Sequence, residues 1–322
     1  MRKIIFSVVI MISLTLITSQ VIFNARDVMN SVSLSITMWR NNVFPSLFPF
    51  FLISEFLINY GFVEFVGEIL KPLMNKLFKA KGISAFIFIM SIISGFPSNA
   101  KYTKELYEQG IIDEKEASKI LMFSHFSNPL FILGAISIMF LNNKLAGLII
   151  LFSHYMGNIV VGIIYRNYNS TNENSNLSIK GAILAMHKRR IESKIKLGKL
   201  ITNSLTKTTN TLLLILGVIT MYSIIISIIN STIYIEPITR GIISGLLEMT
   251  QGLRYLSILN ISLKLKIILF TSLLSFGGLS VHTQIIGILS ETKIKYFPFL
   301  IARITHVIAS TIISILLANI YI

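Results

Sequence analysis

The sequence predicts an all-α polytopic membrane protein, built as an inverted repeat with two re-entrant helical hairpins. Three observations carry that prediction. Of 322 residues, 53% are hydrophobic and only 13% charged, about half the charge of a soluble domain. Several apolar stretches reach the roughly 20 residues that a bilayer crossing requires. Two short polar breaks, Ser94-Gly95-Phe96-Pro97-Ser98-Asn99-Ala100-Lys101 and Ser275-Phe276-Gly277-Gly278-Leu279-Ser280-Val281-His282-Thr283-Gln284, interrupt apolar stretches at matching places in the two halves. Backbone at membrane depth leaves the helix only where protein or a water-filled cavity satisfies its polar groups, so paired breaks mark a candidate transport site.

In chain order, residues 4–23 are free of charge behind Arg2 and Lys3. They read as a retained span rather than a signal peptide, because the run exceeds an h-region and no small-x-small cleavage site follows. Further spans are predicted at 43–62, 145–165 and 212–229. Two less pure ones lie at 117–141, broken by Asn128-Pro129, and at 297–320, which holds Arg303 and His306. The stretches entering the breaks, 83–93 and 267–274, are too short to cross and read as half-helices. Ordinary buried or interfacial helices joined by a turn are the alternative. More polar second arms follow at 102–110 and 285–294. This divides the chain into an N-terminal span with its connector (1–42), a first repeat (43–141), a linking span with a basic loop (142–207) and a second repeat (208–322).

The loop between Arg166 and Lys207 carries Lys180, Lys188, Arg189, Arg190, Lys194, Lys196 and Lys199 against Glu173 and Glu192. The positive-inside rule places it, and the N-terminus, in the cytoplasm. Within it, 168–178 is rich in Asn and Ser and reads as mobile, whereas 183–200 reads as a membrane-surface helix. Topology and lipid contact thus account for the net charge of +15, and no nucleic-acid partner is needed. Three crossings separate the two breaks. An odd number makes the first hairpin open from the cytoplasm and the second from the opposite side, which is the inverted relation. Surface helices at 66–78 and 239–256 occupy matching places in the two repeats.

The residues themselves suit a small organic anion. Ser98, Asn99 and Ser280 supply side-chain donors, and the amides after Pro97 and Gly278 begin arms whose positive dipole ends can face a carboxylate. Gly95 and Gly277 allow the turns. Lys101 either neutralises a carboxylate or snorkels to the cytoplasm. His282 and Gln284 share a face if their arm is extended and oppose each other if it is helical; His282 donates to an anion, carries a proton or is an ordinary satisfied histidine. Asn128 and Pro129 free carbonyls beside the first tip. Glu248, near Thr250 and Gln251, caps a helix or contacts substrate. Charges inside spans are expensive and seldom idle. Glu55 and Arg303, one turn from His306, are expected to form an ion pair, with proton coupling through Glu55 as the alternative. Cysteine is absent, and there is no His-Glu-x-x-His, Gly-x-Ser-x-Gly or Walker lysine loop, so no enzyme chemistry, metal site or cofactor is expected beyond coupling to H⁺ or Na⁺.

The first break, followed by Glu105-Leu106-Tyr107-Glu108-Gln109-Gly110, Asp113-Glu114-Lys115-Glu116-Ala117, Phe123-Ser124 and Ser127-Asn128-Pro129-Leu130-Phe131, resembles the YlbJ-type sporulation integral membrane proteins, also called stage V sporulation protein V. Gly245-Leu246-Leu247-Glu248-Met249-Thr250-Gln251-Gly252 and the second break resemble that family's second half, so the likeness spans nearly the whole chain. It implies a nucleoside recognition, or Gate, domain and a concentrative-nucleoside-transporter-like fold. It further implies a place in the outer forespore membrane on the mother-cell side, passage of dipicolinic acid toward the forespore, and assembly as a homo-oligomer. In related nucleoside transporters, glutamates in the region of Glu248 bind substrate. Asn99 departs from the family, where a glycine is expected; asparagine tolerates left-handed backbone, but close approach of the backbone to a ligand is put in doubt. Two other functions stay open, a non-transporting scaffold for spore assembly and a nucleoside transporter.

Overall fold

A computed structural model describes residues 2–171, 178–193 and 195–322; Glu173 and Lys194 of the basic loop, and most of the 168–178 stretch, lie outside them. The secondary structure of the described residues is all helical, without strands, and six helical stretches are long and apolar enough to cross a bilayer: Ile4–Phe23, Ala25–Asn59, Lys144–Ile164, Leu197–Thr232, Leu263–Leu289 and Phe297–Tyr321. Helix α1 (Arg2–Phe23) faces outward along its length. Residues 25–42, expected to be a connector, instead form α2 (Ala25–Met38), continuous with α3 (Phe44–Asn59) through a π-helical turn at Trp39–Val43. Pro45 explains the turn: it cannot donate to the carbonyl four residues back, so the ladder shifts register just before it. Trp39 then donates from Nε1 to the Leu212 carbonyl at 3.0 Å and ties this point to the long helix that holds Leu212.

Helix α4 (Phe62–Phe78) covers the stretch where the first surface helix is expected, and α5 (Ser84–Ser94) and α6 (Ser98–Glu108) flank the first break. Asp113 caps α7 (Glu114–Phe123) by accepting from the Glu116 amide at 2.8 Å. That bond, with Lys81 beside it, holds the Asp113 carboxyl below its ordinary range. The span expected at 117–141 is not one helix. Residues 124–128 are non-helical, and a π-helix, Phe131–Phe140, follows Pro129. The break therefore opens four residues earlier than Asn128, at the carbonyls that a proline at 129 would leave unmatched.

Helix α8 (Lys144–Ile164) is capped by Asn143, which accepts from Ala146, and leads to α9 (Ile179–Ser193). Helix α10 (Leu197–Thr232) begins fifteen residues before the expected span, its first turns lying among the basic residues. The single surface helix expected at 239–256 is two, α11 (Pro237–Leu247) and α12 (Met249–Ile258), packed on each other and separated by Glu248. Helices α13 (Leu263–Phe276) and α14 (Gly278–Leu289) meet at Gly277. Helix α13 is longer than the half-helix expected at 267–274, because Lys264 and Lys266 lie inside it and bond to Asn319 and the Ser257 carbonyl. It packs on α8 and α15 (Phe297–Tyr321), whereas α14 turns away to pack on α6, α10 and α11.

Two apolar clusters form the interior. One gathers α3 to α7 with parts of α10, α14 and α15; the other gathers the 131–140 helix, α8, α12 and α13. Phe96 of the first break packs on both, so the breaks sit at their junction. In lipid, outward apolar side chains gain little from folding, and stability comes from inward packing. Phe86→Ala, at a fully buried ring that meets the Tyr102 ring with centroids 5.8 Å apart, is expected to cost about 3 kcal/mol. Phe152→Ala, at a ring 54% exposed, is expected to change little. Thermal unfolding of both variants in detergent checks the contrast.

Candidate functional site

Four interruptions of helix, at 95–97, 124–128, Glu248 and 277, converge on one point. Gly95, with φ at +79°, lies so close to the 124–128 break that a Cβ there would stand 2.8 Å from Asn128 Cβ. Gly277, with φ at +90°, abuts His125, whose Nε2 would be 2.9 Å from an added Cβ. A Cβ on Gly278 would likewise meet Met249 N at 3.0 Å. Only glycine combines the left-handed backbone with these approaches. The Phe96 ring stacks on His125 with centroids 4.7 Å apart.

The backbone groups freed at these breaks are bonded to one another or to buried side chains. Phe96 N donates to Phe126 O at 2.7 Å. Asn128 Nδ2 faces the carbonyls of Ser46, Ile93 and Ser94 at 3.2 to 3.4 Å, while its Oδ1 accepts from Leu130 N. Ser127 N donates to His154 Nε2 at 2.9 Å, and the Tyr155 hydroxyl donates to the carbonyls of Ile92 and Ser127, each at 3.1 Å. Asn158 Nδ2 donates to His125 O, and Arg303 donates to Met122 O at the end of α7. Glu248 accepts from the Gln251 amide at 2.9 Å and so caps α12.

Arg303 is the largest fully buried side chain. The expected Glu55–Arg303 ion pair is absent. Among the described residues Arg303 meets no carboxylate; its partners are the Met122 carbonyl, Asn158 Oδ1 at 3.2 Å and His306 Nδ1 at 2.7 Å. The negative end of the α7 dipole, which carries the Met122 carbonyl, supplies part of the missing countercharge. Hydrogen bonding also fixes the neighbouring histidines. His306 accepts from Arg303 at Nδ1 and donates from Nε2 to His154 O at 2.8 Å; His154 accepts at Nε2 and donates from Nδ1 to Ser275 Oγ at 3.1 Å. Each thus carries one ring proton, and the guanidinium holds the cluster's positive charge. Glu55 instead pairs with Lys101 at 2.6 Å and Lys207 at 3.3 Å; helix α10 reaches far enough to present Lys207 because it starts early.

Beside the converged breaks lies a cavity of about 70 Å³. Its polar lining is Ser46, Ser127, Asn128, Glu248, Thr250, Ser280 and Gln284, set among Phe96, Phe131 and aliphatic side chains of α3 and α10. Of the residues singled out from the sequence, Asn128, Glu248, Ser280 and Gln284 line this cavity, while Gly95, Gly277 and Gly278 form the turns behind it. Ser280 Oγ is buried without a partner, and Glu248 meets no cation among the described residues. The others lie elsewhere. Pro97, Ser98 and Asn99 begin α6 away from the lining, with the polar atoms of Ser98 and Asn99 buried and unpartnered. Lys101 is turned to Glu55. Because α14 is helical, His282 and Gln284 point apart: Gln284 to the cavity, His282 to the Tyr296 hydroxyl at 2.5 Å and Phe276 O at 3.0 Å. The sequence gives no sign of a role for Tyr155 or Asn158, and His125 and His154 stand isolated in it. Their role is to satisfy breaks far away in sequence, which no local pattern announces.

A family model described as Gate, nucleoside recognition, matches residues 41–144. The chain is 34% identical over 326 aligned residues to the sporulation integral membrane protein YlbJ of Bacillus subtilis (strain 168), a match covering 94% of this chain and 80% of the relative. No solved structure matches. With six apolar helical stretches, a Gate region around the 95–97 and 124–128 breaks and a likeness over 94% of its length, the chain belongs to the family of YlbJ-type sporulation integral membrane proteins.

Proposed function

We propose that the chain is a secondary carrier that binds a small organic solute in the cavity where its four helix breaks meet. The observation that carries this reading is the convergence itself: breaking four helices at one buried point is costly in a bilayer, and it leaves beside the junction a cavity with polar side chains set in an apolar wall, which a scaffold would not need. The packing agrees with an inverted repeat. Corresponding elements of the two halves lie against each other, α3 on α10, α6 on α14 and α7 on α15, as two units related by an internal two-fold axis would. Two such units can exchange conformations around a fixed site.

For the sporulation setting the substrate we propose is dipicolinate, moved from the mother cell across the outer forespore membrane. The lining sets a condition on that substrate. A dianion beside the Glu248 carboxylate, with no cation in the lining, is repelled strongly at low dielectric, so a proton must sit on Glu248 or on the solute. That makes H⁺ the natural coupling ion, ahead of Na⁺. The same observation favours a second reading, a neutral planar solute such as a nucleoside, whose ring would lie between Phe96 and Phe131 with Glu248 and Gln284 accepting and donating hydrogen bonds.

Uptake into proteoliposomes tests both. Dipicolinate uptake is expected to be saturable, driven by an inward proton gradient and lowered about tenfold or more by Ser280→Leu, which fills the cavity while leaving protein level intact. Uridine uptake without dipicolinate uptake would replace the first reading with the second. Transport of neither, together with failed sporulation on loss of residues 180–199, would favour the scaffold. In Glu248→Gln, dipicolinate uptake is expected to persist but to lose its rise as external pH falls; an unchanged pH profile would remove Glu248 from coupling.

A further inference from the structure

A second cavity, open and about 480 Å³ in volume, lies along the same helices as the first. On α10 it is lined by Asn210, Thr211 and Leu214, directly before Ile215 and Ile219 of the inner cavity; on α14 by Gly287 and Ile288, one turn beyond Gln284. On α3, Glu55 lines the outer cavity and Leu47 the inner, with fully buried Phe51 between them. Successive turns of three helices thus face first one cavity and then the other. The outer mouth lies on the face that carries α9: Arg189 of α9 bonds Gln109 just past the end of α6, and Lys104 of α6 bonds Glu291 at 2.9 Å.

An ion cluster occupies the boundary. Glu55 of α3 takes Lys101 of α6 at 2.6 Å and Lys207 of α10 at 3.3 Å, and Lys207 also takes Glu105 of α6 at 2.7 Å. Lys101 Nζ lies 4.9 Å from the centre of the Phe51 ring. The two inner residues, Glu55 and Lys101, are buried, whereas the Lys207 side chain is 53% exposed. Three helices are therefore tied together by charges at the level of Phe51, between the two cavities. Pairs of this kind hold strongly while intact and, unlike apolar packing, can exchange partners with water or solute once one member moves.

We propose that the outer cavity is the cytoplasmic entrance to the solute site, and that the Glu55, Lys101, Lys207 and Glu105 cluster over Phe51 is its gate. The proposal rests on the carrier reading for its purpose, but its test needs no transported solute. The chain has no cysteine, so Thr211→Cys reports on the entrance and Ile219→Cys on the inner cavity. In membrane vesicles of either orientation, a charged, membrane-impermeant thiol reagent is expected to modify Thr211→Cys from the cytoplasmic side and Ile219→Cys slowly. Adding Glu55→Gln is expected to raise the Ile219→Cys rate about tenfold, with Thr211→Cys unchanged. Lys207→Gln, at a half-exposed position that does not empty the core, is expected to act in the same direction and decides the matter should Glu55→Gln fail to fold. An inner rate unmoved by either substitution, or access to Ile219→Cys only from the opposite side, overturns the gate. Uptake in liposomes with no change in labelling removes the gate and keeps the carrier; a tenfold rise without uptake of any solute does the reverse.

Discussion

A bilayer supplies no water to bond a stray peptide group, and this chain breaks helix four times inside its apolar interior. Everything else in the fold follows from how those groups are satisfied. The breaks are drawn to one place because each supplies what another lacks. The carbonyl of Phe126 in the second break takes the amide of Phe96 in the first. Asn128 spans three carbonyls from α3 and α5, and His154, Tyr155 and Asn158, all on α8, serve the 124–128 segment. Glycine stands where two breaks touch. The cavity is what remains beside such a junction, since non-helical segments cannot fill space as evenly as ridged helices.

Charge is arranged by the same constraint. Two kinds of buried charge coexist here, and they are kept apart. Glu55, Lys101, Lys207 and Glu105 neutralise one another near the basic face, where water reaches the outer cavity. Arg303 lies among neutral histidines with its guanidinium bonded to the end of α7. A lone buried cation is normally expensive. Here it replaces the amide donors that α7 would have found had it continued past Phe123, so its cost is tied to the break it closes. Glu248 stands alone on the cavity wall, capping α12 with one oxygen. It is the acidic group that faces the space where a solute would sit.

The sequence made the architecture legible wherever the signal was local. Apolar length identified five of the six long helices, and the glycines at 95 and 277 marked two breaks to the residue. The helix at 62–78, and the break ahead of the proline at 129, were equally plain. What could not be read was set by contacts between distant residues. Residues 25–42 are polar enough to pass for a connector, and only packing of α2 on α10 explains their helix. Glu248 sits in an unremarkable amphipathic stretch, yet the chain breaks there so that α11 and α12 can fold together. Glu55 and Arg303 looked like partners because each seemed alone; the early start of α10 provided Lys207, and the break after Phe123 provided the Met122 carbonyl. Site residues were half legible for a related reason. A break advertises its own turn, but which face of the following helix meets the cavity depends on that helix's packing, and α6 turns Ser98, Asn99 and Lys101 away from it.

The proposed carrier holds its solute in the space beside the four breaks. With no native cysteine to interfere, Thr250→Cys on the cavity wall gives the most direct test through its rate of modification by a small thiol reagent, with and without dipicolinate or uridine. One of these solutes is expected to slow modification at Thr250→Cys several-fold and to leave an exposed control, Thr232→Cys, unaffected. Equal rates at Thr250→Cys whether or not either solute is present, in protein that is folded and inserted, would contradict it.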